Sequence, residues 1–375
     1  FGSSLLGPGT VPAPRRAWSL HPRGRQGAMA ILAEASAGEA GHDRKVAPGR
    51  AATPPAGAAK QGEAPAEAKP AGSFLAALLS CLVWPLICAV PLALTLGPGH
   101  DSYRAVFPRA WYDEEPVKPE LTGYGVADPR SIKPLGLTLG ILAVAVGQVF
   151  TVAYHALRCA GLLGAKRRIQ QEVREYSFVE GMVTHFAQPE GFALIGGYLV
   201  GSWMLGWMPQ SYYSFAGGIC WWHVAAQLLL QDFLQAIMHL GEHKVSSWVY
   251  RNSHKPHHRF VNPRMFDAFN GSLTDTLLMI IVPFVAVARL VPANVWSYMT
   301  FGSLYANWLV LIHSEFHHPW DCLFKRIGFG TAGDHHVHHK LFVYNFGHTF
   351  AYWDKVLGTY KDPAELEGKY FNKHE

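Results

Sequence analysis

Residues 221–258 read WWHVAAQLLLQDFLQAIMHLGEHKVSSWVYRNSHKPHH. An apolar stretch runs directly into histidine, and the histidines then recur at helical spacing. His239 and His243 stand four apart, and His254, His257 and His258 follow as His-x-x-His-His. Residues three and four apart share one face of a helix, so each motif aims its imidazoles the same way. The pattern returns downstream. His313, His317 and His318 lie in HSEFHH, and His335, His336, His338 and His339 lie in HHVHH. Neutral imidazole is a transition-metal ligand. One His-x-x-x-His pair is usually a surface or pH-titrating feature. Four clusters within His239–His348, holding most of the 20 histidines, make chance a poor explanation.

Working outward, residues 191–231 contain no Asp, Glu, Lys or Arg. Pro209-Gln210-Ser211 interrupts them, which predicts a helical hairpin over 191–208 and about 212–238. Trp221, Trp222, Tyr212 and Tyr213 suit either a membrane interface or ordinary helix packing. A second hairpin is expected over 273–314, broken near Arg289–Asn294 at Pro292, its second helix delivering His313. Two earlier apolar blocks, 73–97 and 134–157, are each long enough for a membrane helix of ~20 residues. Pro85 and Pro91 should kink the first. Arg158, Lys166, Arg167, Arg168 and Arg174 follow the second and mark a cytosolic flank. With six spans or dips, all four histidine clusters fall on that cytosolic side.

The expected fold is all-α. About four to six transmembrane or hairpin helices are capped by a cytosolic, helical, histidine-rich metal domain. The expected divisions are a low-complexity segment over 1–72, two transmembrane helices over 73–178, a catalytic domain over 179–363 and a tail over 364–375. Residues 1–72 are rich in Ala, Pro and Gly and read as disordered. The sequence begins at Phe1, with Met29 a candidate start. Arg15, Arg16, Arg23 and Arg25 resemble a transit peptide, which would place the chain in an organelle membrane; untranslated or unstructured sequence is the other reading. Net charge is +5, with no long basic run and no zinc-finger spacing, which argues against nucleic acid. Five cysteines without Cys-x-x-Cys argue against a disulfide framework or thiolate site.

Many imidazoles and few carboxylates suit Fe, Zn or Cu rather than Mg or Ca. Structural zinc needs only four ligands, and these clusters exceed that. The order of motifs resembles the sterol desaturase / fatty acid hydroxylase superfamily. Asp232 lies seven before His239, Tyr250-Arg251 precedes His254, and His313-Ser314 is followed by Pro319. Asp334–His339, Asn345-Phe346-Gly347 and Trp353-Asp354-Lys355-Val356-Leu357-Gly358-Thr359 complete the likeness, which covers roughly 180–363.

The resemblance implies a membrane-bound di-iron oxygenase of the endoplasmic reticulum, with its metal site facing the cytosol. Such an enzyme uses O2 and two electrons to hydroxylate or desaturate a sterol or fatty-acyl lipid. Carried over by position, the ligands to two iron ions are His239, His243, His254, His257, His258, His313, His317, His335, His338 and His339. His318 and His336 are spare, as substitutes or as hydrogen-bond donors behind the ligands. Asp232, on the face of His239, is expected to hold an imidazole by its other ring nitrogen, and Asn345 to do likewise or to cap a turn. No haem motif or dinucleotide fingerprint is present, so electrons are expected from NAD(P)H through a separate cytochrome b5 or reductase. Leu240 stands where the family often has Arg, Glu242 precedes His243, and in the segment Asn270–Asp275, where the family often has His-Pro and an acid, only Asp275 corresponds. An acyl desaturase of the other histidine-box class lacks the Trp-Asp…Gly-Thr ending. A non-catalytic metal-binding membrane protein is the third reading; a transporter would carry its ionisable ligands inside its spans.

Overall fold

The computed structural model describes residues 73–112, 132–173, 175–186 and 188–373. The expected leading segment 1–72, with Met29 and its arginines, lies outside them. The described residues are helical, with isolated β-bridges and no named strand. Helices α1 (Ser73–Cys81), α2 (Val83–Ile87) and α3 (Ala89–Thr95) form the first apolar block. Its two halves, Phe74–Ile87 and Ala89–Thr95, bend by 65°. Pro91 has no N–H for the Ile87 carbonyl one turn back. That carbonyl accepts from Ser303 Oγ at 2.7 Å instead.

Helix α4 (Pro134–Cys159) starts on proline, whose missing N–H costs nothing at a helix start. Its 26 residues span about 39 Å at 1.5 Å each, beyond the ~30 Å hydrocarbon core of a bilayer. There follow α5 (Phe178–Phe186), α6 (Pro189–Met204), α7 (Trp221–Lys244), α8 (Ser247–Asn252), α9 (Leu273–Leu290) and α10 (Val295–Ile312). Among the described residues, α4 and α9 are long and apolar enough to cross a membrane, and the bent α1–α3 block has the composition of a broken span or a re-entrant loop. Helix α6 is shorter. Helices α7 and α10 are long enough, but buried Gln227, Gln231, Asp232 and Gln235 in one, and Ser297, Thr300, Ser303 and Asn307 in the other, lower their hydropathy.

Helix α10 packs along α4. A Cβ at Gly147 would collide with the side chains of Asn307 and Ser303. Ser303 also donates to the Ala143 carbonyl at 3.1 Å, and Thr151 donates to Asn307 Oδ1 at 2.7 Å. Small residues and side-chain hydrogen bonds hold membrane helices this closely, because lipid gives apolar faces no reason to separate from it.

Both hairpins form, with one shift. The second breaks where expected: α9 ends at Leu290, and Asn294 caps α10 by accepting from Ser297 N–H. In the first, α7 begins at Trp221 rather than near 212. Residues 210–220 instead close the end of the bundle. Tyr212 donates to the Val291 carbonyl at 2.6 Å and Tyr213 to the Trp203 carbonyl at 2.8 Å. Gly217, with φ of +73°, takes a backbone conformation that would break a helix there. Tyr212 and Tyr213 are therefore packing residues, whereas Trp221 and Trp222 are exposed.

Helices α11 (Asp321–Arg326), α12 (Ala332–Leu341) and α13 (Tyr352–Leu357) complete the histidine-bearing end. The tail marked from 364 packs onto it. Leu366 and Phe371 are buried, and Asn372 Nδ2 donates to the carbonyls of Arg168 and Gln170.

Candidate metal centre

Each histidine arrives on an element whose local sequence fixes it. Helix α7 carries His239 and His243 one turn apart at its C-terminal end. His254 follows α8, and Pro256 starts the 3-10 turn that carries His257 and His258. His313 is the C-terminal cap of α10. Helix α12 opens on a reciprocal cap between Thr331 and Asp334 and closes at Phe342, φ +64°. Between those stops it presents His335, His338 and His339 at helical spacing.

The structure gathers nine imidazoles into two groups, all buried but the half-buried His243. His239, His243, His254, His258 and His338 form one; His257, His313, His335 and His339 form the other. Within each group the nitrogens lie within 4.8 Å of one another. In the first, Nε2 atoms are 2.8 Å apart for His239 and His254, 3.1 Å for His258 and His243, and 3.0 Å for His338 and His258. In the second they are 3.3 Å for His313 and His257, 2.9 Å for His335 and His313, and 3.1 Å for His339 and His335.

The outward nitrogens decide what these distances mean. Nδ1 of His239, His257, His313 and His338 faces the carbonyls of Phe346 (2.8 Å), Asn270 (3.2 Å), Leu309 (2.6 Å) and Tyr344 (2.7 Å). A carbonyl only accepts, so each of these Nδ1 atoms carries the proton and leaves a lone pair on Nε2. His257 and His313 therefore point two lone pairs at each other. No hydrogen bond relieves that; a cation does. Two nitrogens each ~2.1 Å from one metal and at right angles to it stand about 3 Å apart. The donor set fits two transition-metal ions.

Burial and the neighbouring imidazoles push His254, His258, His313, His335, His338 and His339 well below the ordinary histidine range. They are neutral at physiological pH, the form that binds metal.

The support behind the groups differs from the expectation. Asp232 holds no ring. Its carboxylate accepts the backbone N–H groups of His348 (3.0 Å), Thr349 (2.6 Å) and Phe350 (2.9 Å). Asp354 accepts those of Phe346 (2.7 Å) and Gly347 (2.8 Å), and the Thr359 hydroxyl. The two carboxylates grip loop 346–350, whose Phe346 carbonyl in turn fixes His239. Asp275 is the acid that does face an imidazole, at 2.7 Å from His254 Nδ1. Glu242, buried, stands 3.9 Å from the same nitrogen.

The other expected site residues lie apart from the two groups. His317 Nδ1 is 3.7 Å from Asp321, and its carbonyl accepts from Arg158 at 2.7 Å. His318 Nδ1 meets the Tyr154 hydroxyl at 2.9 Å, and His336 Nε2 meets the Ser314 carbonyl at 3.0 Å. Asn345 is a turn residue with φ of +55°, bonding Asp334 and Lys361 backbone. Sequence reasoning gave neither Asp354 nor His348 a role of its own. The signal for Asp354 was present in the Trp-Asp…Gly-Thr ending; its geometry was not.

The bundle also holds a cavity of about 870 Å³. It is walled by α4, α6, α9 and α10, including Val144, Leu199, Phe284, Tyr298, Phe301 and Tyr305. Among the described residues lining it there is no Asp, Glu, Lys, Arg or His. Ile141, Val149 and Phe192, on its rim, are exposed apolar side chains, so it opens sideways. Tyr305 links it to the centre. Its hydroxyl donates to Gln235 Oε1 at 2.9 Å, and Gln235 lies one turn before His239.

Comparison with known proteins agrees with this site. The fatty acid hydroxylase family model matches residues 224–359. The chain is 52% identical over 296 residues to an "alternative squalene epoxidase" of Phaeodactylum tricornutum, covering 78% of this chain and 82% of that one. It is 34% identical over 159 residues to a cholesterol 25-hydroxylase-like protein of Danio rerio (41% and 62%). It is 32% identical over 148 residues to lathosterol oxidase of Rattus norvegicus (39% and 47%), so it spans about half of that relative. No solved structure matches. The chain belongs to the sterol desaturase / fatty acid hydroxylase superfamily. It is an oxygen-dependent lipid oxidoreductase.

Proposed function

We propose that the protein epoxidises squalene, as a membrane-bound di-iron enzyme that takes one atom of O2 and two electrons per turnover. The observation that carries the substrate is the relative named as a squalene epoxidase, 52% identical over 82% of its length. The uncharged cavity supports it, because a hydrocarbon has no polar group for a site to satisfy. Epoxidation is an outcome beyond the hydroxylation and desaturation read from the sequence. It shares their chemistry up to the oxygen-transfer step.

The nine grouped histidines would hold two iron ions. When bound there, the iron ions supply O2 activation with two electrons and two protons, one oxygen atom going to a substrate double bond and the other to water. The chain's own work is positional. The carbonyls on Nδ1 of His239, His257, His313 and His338 fix those rings and their tautomers. The cavity wall places the alkene and excludes water. The basic residues Lys244, Arg251, Lys255 and Arg259 mark the face taken as cytosolic, where a separate cytochrome b5 or reductase fed by NAD(P)H would dock. The endoplasmic reticulum is the compartment this reading assigns.

The test is expression in yeast deprived of its own squalene epoxidase, with squalene and oxidosqualene measured by mass spectrometry. Oxidosqualene should form with wild type and not with His338→Ala. Accumulated squalene with both, from protein shown to be folded and to contain iron, would reject the substrate.

A further inference from the structure

Within 239–348, His348 is the histidine that neither the clusters nor the two groups absorb. It is buried, and its ring touches one member of each group. The centroids are 5.1 Å from His239 and 5.1 Å from His335. Ring pairs within the groups lie between 4.2 Å, for His239 and His338, and 6.1 Å, for His254 and His338, so His348 stands within the spacing of the group members. The ring thus stands in the wall shared by the two metal positions.

Its backbone is fixed from three sides. Asp232 of α7 accepts its N–H at 3.0 Å. Trp308 of α10 donates to its carbonyl at 2.9 Å. Gly330 packs beneath, where an added Cβ would come within 3.0 Å of that carbonyl. Three elements spend contacts on the position of one residue. The ring is not fixed in this way: the described residues offer its buried Nδ1 no hydrogen-bond partner. An unsatisfied buried polar atom costs about 1–3 kcal/mol, a cost that a bound cation would remove. The two groups are also unequal, five imidazoles against four.

We propose that His348 is a metal ligand, the fifth imidazole of the group formed by His257, His313, His335 and His339. This rests on the two-metal reading above. It also gives Asp232 a second role, since the carboxylate then positions an imidazole through that residue's own backbone N–H. His348 nitrogens do not reach every member of that group, so the ring closes on the metal when the ion binds.

The experiment uses the full chain in nanodiscs, stripped of metal and reloaded with ferrous iron. Iron per chain, the Mössbauer spectrum and the rate of iron release to a chelator are measured for wild type, His348→Ala and His348→Gln. Metal-free melting temperatures check that the fold persists. Wild type should hold two irons. Both variants should lose the second, with affinity down at least about tenfold, and added free imidazole should restore it in His348→Ala but not in His348→Gln. Two irons with wild-type spectrum and release rate in both variants would overturn the proposal, as would an iron loss that imidazole does not restore. A wild type that binds no iron would instead break the two-metal reading itself, so the two failures are distinguishable.

Discussion

Helix α10 serves two regions built on opposite terms. Tyr298, Phe301 and Tyr305 line a cavity with no charged wall, while His313, two turns on, enters a group of imidazoles. About 12 Å of helix separates Tyr305 from His313 at 1.5 Å per residue. The cavity is specified by averages: enough apolar side chains, no charge, and volume left between α4, α6 and α10. The metal centre is specified one contact at a time, with Nδ1 of His239, His257, His313 and His338 each set by a carbonyl and that of His254 by Asp275. Cavity changes should therefore be graded and centre changes steep.

The steepest is His338→Ala. It removes one imidazole of the five-membered group and should lower turnover by at least about 100-fold, beyond what loss of a supporting partner causes. Bound iron should fall with it in elemental analysis. Turnover retained with less than one iron per chain would show that the centre does not depend on its ligands in this way.

Asp354→Ala should come next. It frees the N–H groups of Phe346 and Gly347, and with them the carbonyl that fixes His239. Iron affinity should drop about 10–100-fold, read by chelator competition. An unchanged affinity would mean that loop 346–350 holds itself.

Acidification separates the regions directly. Burial keeps His254, His258, His313, His335, His338 and His339 neutral in the fold, while in the unfolded chain they bind protons below about pH 6.5. The unfolded state then carries more protons, so metal-free stability is full above that pH and falls as pH drops. Each imidazole contributes up to about 1.4 kcal/mol per pH unit. Melting of metal-free protein between pH 8 and pH 5 should show the decline. A flat profile would mean these rings are solvated.

The smallest effect is expected in the cavity. Gly302 faces it, and a Cβ there meets only Val144, at 3.9 Å. Gly302→Leu should raise KM for the lipid several-fold, about 1 kcal/mol for lost apolar volume, at unchanged iron content. A collapse of turnover instead would show that the cavity wall is specified as tightly as the centre.

Much of this was legible from residue spacing. The clusters at His239, His254, His313 and His335 declare themselves because ligands on one helix face must recur every three or four residues. The second hairpin was legible at Pro292, since a helix cannot run through that turn. The start of α7 was not, because Tyr212 and Tyr213 look like membrane-interface residues until Val291 and Trp203 are seen to accept from them. The separation of His317 from the groups was equally hidden. Its spacing from His313 matches a helical pair, but α10 ends at Ile312 and the chain turns away.

The sequence by itself determined a helical chain with apolar blocks long enough to cross a membrane and four histidine clusters, because periodicity and composition are local properties; the oxygenase class came from the resemblance of its motifs to a family. Only the tertiary structure decided how nine imidazoles divide into two groups, that Asp232 and Asp354 hold a loop rather than rings, and that His348 stands between the groups. Those facts rest on contacts between residues about a hundred positions apart, such as Asp232 with Thr349 and His239 with Phe346. No local pattern records such contacts, because the chain makes them only when α7, α10 and α12 pack together.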